Sequence, residues 1–367
     1  PDYETKTSYS AIVTVSDGVN SVKQSITVSI IDANDMAPVF TSGATFSIAE
    51  NQILIGTITT TDPDNDVVTY SLSGTDASAM SINSSSGVLV FASAPDYETK
   101  TSYSATVTAT DGTNSSTQDI MVTITDIDDT APVFTSSASF GAAENQTSIG
   151  TVTATDVDTD NASITFSISG SELVITSGGV LTFASAPDYE TKTSYSATVT
   201  ATDGTNSSTQ DITVTVTNAN DNSPVFTSGA TFSVAENQTS VGTAVANDAD
   251  GDSLTYSLSG TDASSFSING SSGVITFNSA PDYETKTSYS MTVTVSDGAN
   301  TDTQSLTIGI TNVNEYSPVI SSSSTFSVEE NQTSVGTVSA SDNDTSESLT
   351  YSLGGTDASS FSINSSS

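Results

Sequence analysis

The ten-residue string PDYETKTSYS occurs four times, beginning at Pro1, Pro95, Pro187 and Pro281. The separations are 94, 92 and 94 residues, a period that suits one small domain per copy. A second marker runs in phase with it: DANDMAP ends at Pro38, DIDDTAP at Pro132, NANDNSP at Pro224 and NVNEYSP at Pro318. Each of these prolines precedes Val and then Phe or Ile, so a strand is expected to start there and we place the boundaries at the prolines. Three units are then complete, 38–131, 132–223 and 224–317. Residues 1–37 read as the tail of an earlier unit and 318–367 as the head of a later one, so a longer array is expected.

The apolar residues alternate. Tyr195, Ala197, Val199 and Ala201 are interleaved with Ser196, Thr198, Thr200 and Thr202, and Ile212, Val214 and Val216 with Thr213, Thr215 and Thr217. A period of two marks half-buried strands, and Val and Thr suit them. Within 132–223 strands are expected near 139–144, 149–155, 164–169, 173–176, 180–184, 195–202 and 210–217, with turns at Gly170, Gly178, Gly179 and Gly204. Seven short strands per unit are those of an immunoglobulin-like sandwich. Helical periodicity is absent. At ~3.3 Å per strand residue, four units end to end imply a rod of more than about 100 Å.

Acidic residues number 43 against 5 basic ones, for a net charge of −38. Disorder, which high charge can bring, is opposed by the ordered alternation. Such a chain repels nucleic-acid phosphates and anionic lipid, and no run of ~18 apolar residues could span a membrane. With no Cys and no His, thiolate and imidazole metal sites are excluded, and so is the usual neutral-pH general base. Oxygen ligands remain, which suit calcium or magnesium.

The acids recur as five motifs. Glu-Asn-Gln supplies Glu50, Glu144, Glu236 and Glu330. Asp-x-Asp supplies Asp62 and Asp64, Asp156 and Asp158, Asp248 and Asp250, and Asp342 and Asp344. Asp-Tyr-Glu supplies Asp2 and Glu4, Asp96 and Glu98, Asp188 and Glu190, and Asp282 and Glu284. Asp-Gly supplies Asp17, Asp111, Asp203 and Asp297; the fifth motif is the linker before each proline. Clustered carboxylates repel unless neutralised, and a hard divalent cation takes 6–8 oxygens from carboxylates, Asn side chains and carbonyls.

The ordered pattern AEN, DxD, DYE, ATDG, NDNxP resembles the cadherin repeat, in register over the whole chain. The resemblance implies an all-β chain of tandem immunoglobulin-like (cadherin-like) seven-stranded Greek-key β-sandwich repeats in an extended rod, with calcium between successive repeats. It places Asp2, Glu4, Asp32, Asn34, Asp35, Asp62, Asp64 and Asp111 at Pro38. At Pro132 it places Glu50, Asp96, Glu98, Asp126, Asp128, Asp129, Asp156, Asp158 and Asp203. At Pro224 the set is Glu144, Asp188, Glu190, Asn218, Asn220, Asp221, Asp248, Asp250 and Asp297. At Pro318 it is Glu236, Asp282, Glu284, Asn312, Asn314, Glu315, Asp342 and Asp344. Asn218 and Asn312 stand where Asp is usual, Asp128 where Asn is usual, and Glu315 adds a methylene. Pro132 is therefore expected to bind tightest and Pro318 weakest. The Trp that vertebrate adhesion cadherins exchange between partners is absent, because the chain has no Trp.

Plainer readings compete. Asp-Gly and Asn-Asp pairs make ordinary turns. Asp-Tyr-Glu can end a strand with its Tyr in the core while its acids serve a metal. The Lys of each PDYETK reads as a solvated charge, with pairing to a neighbouring acid the alternative. Paired acids can hydrolyse glycosides, but these repeat in every unit, so no enzyme is expected. The Asn-Gln-Thr sequons at Asn145, Asn237 and Asn331 adjoin the motif glutamates and read as structural. The Ser/Thr-rich composition without Arg points to a bacterial-type array. The functional expectation is an extracellular or cell-surface array, stiffened by calcium and adhering to other cadherin-like repeats. A passive stalk that projects another domain is the alternative, and a carbohydrate-binding sandwich ranks last.

Overall fold

The computed structural model describes residues 1–158, 163–344 and 348–366. Its contacts divide the chain into two compact units: Pro1–Phe140 with Ser148–Ala184 and Tyr195–Val214, and Gly141–Thr147 with Ser185–Ser194 and Thr215–Ser367. The described residues form strands joined by turns and short 3-10 turns, with no α-helix among them.

The first unit contains a complete sandwich between Val39 and Thr125. One sheet orders its strands Thr45–Ala49, Ser115–Thr125, Ser102–Thr110, Thr69–Ser73. The facing sheet orders Leu54–Thr57, Val88–Phe91, Met80–Ile82. These are the seven expected strands. A short pair, Val39–Phe40 with Thr60–Thr61, joins them, so a strand does follow the linker proline. The two late strands lie between earlier ones, and Thr45–Ala49 runs parallel to Ser115–Thr125. This is Greek-key connectivity rather than a meander.

Alternation in the sequence becomes alternation in burial. Along Ser102–Thr110, Ala105, Val107 and Ala109 face inward and the intervening threonines lie less deep. Along Ser115–Thr125, Ile120, Val122 and Ile124 do the same. They close on Ile58, Leu89 and Phe91 from the opposite side. Each Val, Leu, Ile or Phe among them, fully buried, contributes roughly 1.5–3 kcal/mol. The second unit repeats the plan between Val225 and Thr311, with Val234, Ile275, Val293, Leu306 and Ile308 at its centre. There Tyr289 stands edge-on to Phe266 and Phe277, with ring centroids 5.6 and 5.1 Å away.

The strand expected over 149–155 is divided. Ser148–Thr151 pairs with Val180–Phe183, whereas Ala154–Thr155 pairs with Val133–Phe134. A register shift between Ser148 and Gly150 and the burial of Val152 turn the chain from one partner to the next. Strand sequences recur almost unchanged: Ser102–Thr110 and Ser194–Thr202 both read SYSATVTAT. Ser115–Thr125 and Ser207–Thr217 differ only at Met121 against Thr213 and Ile124 against Val216.

One glycine in each sandwich is fixed by a close backbone approach. Gly273 has φ +69°, and a Cβ there would lie 2.1 Å from the Ala244 carbonyl oxygen. Gly87 and Gly179 meet Ile58 and Val152 in the same way, each at 2.2 Å. Gly273→Ala is expected to destabilise its sandwich by at least about 2 kcal/mol. The check is the loss of hydrogen-exchange protection across 231–311 at a denaturant concentration that leaves the wild type folded.

Candidate metal centre

Glu50, Glu144 and Glu236 each follow their strand directly and turn inward. Glu50 is 1% exposed, and its two carboxylate oxygens accept the N–H groups of Tyr97 and Ile127, both at 2.8 Å. Glu144 takes Tyr189 and Ala219 at 2.6 and 2.7 Å, and Glu236 takes Tyr283 and Val313 at the same two distances. One carboxylate thus ties the Asp-Tyr-Glu turn to the linker. The next residue, Asn51, Asn145 or Asn237, is left-handed (φ 63°, 62° and 60°), a conformation Asn tolerates. Its side-chain amide donates to Asp129, Asp221 or Glu315 respectively. The structural reading of these asparagines is the one the geometry supports.

The second Asp of each Asp-x-Asp fastens the linker to the strands that follow it. Asp64 Oδ2 accepts Asp35 N–H at 3.0 Å and Met36 N–H at 2.8 Å. Asp158 Oδ2 accepts Asp129 and Thr130 at 3.0 and 2.6 Å. Asp250 Oδ2 takes Asp221 and Asn222, and Asp344 Oδ2 takes Glu315 and Tyr316, each pair at 3.0 Å and then 2.8 or 2.7 Å. The first Asp supports the second: Asp62, Asp156 and Asp342 accept the N–H of Asp64, Asp158 and Asp344.

The Asp-Gly aspartate serves its own turn with one oxygen. Asp111 Oδ1 accepts Thr113 and Asn114 N–H at 2.6 and 2.7 Å, and Asp203 and Asp297 repeat this with Thr205, Asn206, Ala299 and Asn300. The Asn two residues past the Gly then reaches the linker: Asn114 to Asn34, Asn206 to Asp128 and Asn300 to Asn220. The Asp-Tyr-Glu aspartates cap turns as well, Asp96 through Thr99 and Asp282 through Thr285, while Tyr97 and Tyr283 pack on the cores.

With these bonds made, one set of oxygens has no hydrogen-bond partner although it is buried: Asp64 Oδ1, Asp158 Oδ1, Asp344 Oδ1, Asp62 Oδ2, Asp248 Oδ2, Asp111 Oδ2, Asp203 Oδ2, Asp297 Oδ2 and both of Glu284. Leaving a charged acceptor buried and unsatisfied is costly. Oxygens of Glu4, Asp32 and Asp64 lie within 4.8 Å of one another; so do those of Glu50, Asp96 and Glu98, of Glu98, Asp126 and Asp158, and of Glu144, Asp188 and Glu190. Desolvation, opposed by its own N–H and reinforced by the charges of Glu50 and Asp158, pushes the Glu98 carboxyl up to about 7. Desolvation also leads the causes that raise Glu190, Glu284 and Asp126 above the ordinary carboxyl range. The donor set is all oxygen and strongly anionic, which fits a hard divalent cation.

Two features lay outside the sequence reading, and a third follows its alternative. Asp66 joins Asp62 and Asp64 in one group, and the third acid of Asp-x-Asp-x-Asp, seen again at Asp252, was the available signal. Asn222 sits among the acids before Pro224. At Lys100 and Lys286 the PDYETK lysine is paired, the alternative reading, rather than merely solvated. Lys100 Nζ lies 2.5 Å from Asp76 and 4.6 Å from the Tyr103 ring centroid, and Lys286 repeats this with Asp262 and Tyr289. Asp76 also accepts Ser104 N–H, so the lysine completes the partners of a partly buried acceptor.

A family model for the cadherin domain matches residues 44–125, 138–217 and 230–311. The chain belongs to the cadherin family. Cadherin repeats are typical of extracellular adhesion proteins, the family comprises adhesion and receptor proteins rather than enzymes, and calcium binding is typical of it. The Drosophila melanogaster protocadherin-like wing polarity protein stan is 31% identical over 362 residues, covering 88% of this chain and 10% of its own length. The protocadherin γB4 extracellular domain superposes with TM-score 0.72 at 25% identity, covering 94% of this chain and 62% of that one. A protocadherin γB7 EC3-6 cis-dimer structure gives 0.66 at 26%, over 84% and 86% of the two chains. The cadherin chain thus spans about a tenth of the curated relative. That relative is an animal protein and lends the bacterial-type reading no support. No helix among the described residues is long and apolar enough to cross a membrane.

Proposed function

We propose that this chain binds calcium in the acidic clusters before Pro38, Pro132, Pro224 and Pro318, and that the bound ions stiffen a cadherin array that serves homophilic cell adhesion. The repeats are taken as 38–131, 132–223 and 224–317, flanked by the partial repeats 1–37 and 318–367. The observation that carries the reading is the set of buried carboxylate oxygens without partners, beside linkers already fastened by Asp64, Asp158, Asp250 and Asp344. Glu50, Glu98, Asp126, Asp158 and Asp203 would hold the ion at Pro132, with equivalent residues at the other three. A bound ion supplies positive charge and 6–8 coordination positions. The protein's own part is to fix the linker and keep its carboxylates close. An ion that binds only this arrangement also stabilises it by mass action.

Small-angle scattering of the chain in millimolar calcium and in chelator tests the reading. A larger maximum dimension and a rod-like profile with calcium are expected; coincident profiles would refute it. A passive stalk is the second reading, favoured by the near-identity of the strand sequences in successive repeats. Sedimentation in calcium separates the two, since self-association supports adhesion and a monomer supports the stalk.

A further inference from the structure

We propose that the Asn222 side-chain amide is a built-in substitute for a cation, so that the Pro224 junction keeps its geometry without metal whereas the Pro132 junction does not. This rests on the calcium reading for the role of the junctions. The comparison is internal to the chain. Before each proline the same two backbone N–H groups bond Oδ2 of the second Asp of Asp-x-Asp, with nearly the same lengths. What differs is the other oxygen. Oδ1 of Asp64, Asp158 and Asp344 is buried with no partner. Oδ1 of Asp250 accepts the Asn222 amide at 2.9 Å.

The same amide nitrogen reaches Asp221 Oδ1 at 2.8 Å and Glu190 Oε2 at 3.2 Å. It therefore stands among three carboxylates from the linker, the Asp-Tyr-Glu turn and the following Asp-x-Asp. A divalent ion would hold the same three groups together. Met36, Thr130 and Tyr316 occupy the matching positions and carry no amide. Two further amides add to the contrast. Asn218 Nδ2 donates to the Asp250 carbonyl at 2.8 Å and Asn220 Nδ2 to the Asp297 carbonyl at 3.4 Å, where the Pro132 linker has the anions Asp126 and Asp128. The Pro224 linker thus replaces two repelling charges with donors. Calcium entering there must displace the Asn222 amide, which makes this junction less dependent on the ion and less tight for it.

Hydrogen exchange of the full chain in chelator reads this directly. The amides to follow are Asp221 and Asn222 against Asp129 and Thr130, which share one acceptor geometry. Hydrogen bonds to charged groups are worth enough that the Pro224 pair should be protected at least about tenfold more. Asn222→Thr, which installs the residue found before Pro132, should bring the two pairs level. Thr130→Asn should raise protection of Asp129. Equal protection in the wild type, or an Asn222→Thr chain unchanged from it, overturns the proposal. Adding calcium should protect the Asp129 pair most. If calcium protects neither pair the calcium reading fails, while the chelator comparison still decides the role of Asn222.

Discussion

Glu50→Ala is expected to destabilise the sandwich between Val39 and Thr125 by about 3 kcal/mol or more in chelator, and by more again in calcium. Glu50 is buried, and its oxygens are the acceptors for Tyr97 and Ile127 N–H. Truncation leaves two backbone donors in a site that water cannot readily fill, and each buried unsatisfied group costs roughly 1–3 kcal/mol. The Asp-Tyr-Glu turn and the linker would then come apart, because this carboxylate joins them. Hydrogen exchange at Tyr97 and Ile127 is the measurement. A variant that loses stability only in calcium would show Glu50 to be a ligand alone and sink the structural role.

Asp158→Asn is expected to act the other way round, leaving the fold intact and weakening calcium at Pro132 roughly 10- to 100-fold. The Asn carbonyl can still accept Asp129 and Thr130 N–H, as Asp158 Oδ2 does. Its amide would replace the bare Oδ1 and remove one charge from the group with Glu98 and Asp126. A calcium titration followed through exchange at Thr130 reports the shift. An unchanged midpoint would remove Asp158 from the ligand set.

The sheets were legible because period-two alternation maps directly onto burial: Val199, Ala201, Ile212, Val214 and Val216 all lie inside. The divided strand at 148–155 was not, since one bulge can send a continuous alternating run to two partners. Acidic positions could be read from the repeat, yet their convergence came from resemblance, because spacing carries no three-dimensional distance. How each carboxylate shares its oxygens was also hidden. Asp203 looked like a turn residue or a ligand, and it gives Oδ1 to the turn while Oδ2 stays bare. Lys100 and Asp76 lie 24 residues apart, and only the fold brings them together.

Repetition of strand sequence has a consequence for how the chain reaches this state. Ser102–Thr110 is identical to Ser194–Thr202, and their partners Ser115–Thr125 and Ser207–Thr217 differ at two positions. Side-chain complementarity therefore cannot tell a nascent hairpin which copy to choose. Proximity has to decide, through the short turn from Thr110 to Ser115 as against the long path from Thr110 to Ser207. With closure entropy rising about 0.6 kcal/mol per doubling of the loop, that preference amounts to about 3 kcal/mol. Neighbouring repeats that begin to fold at the same time are thus exposed to strand exchange, whereas repeats completed one after another during synthesis are not.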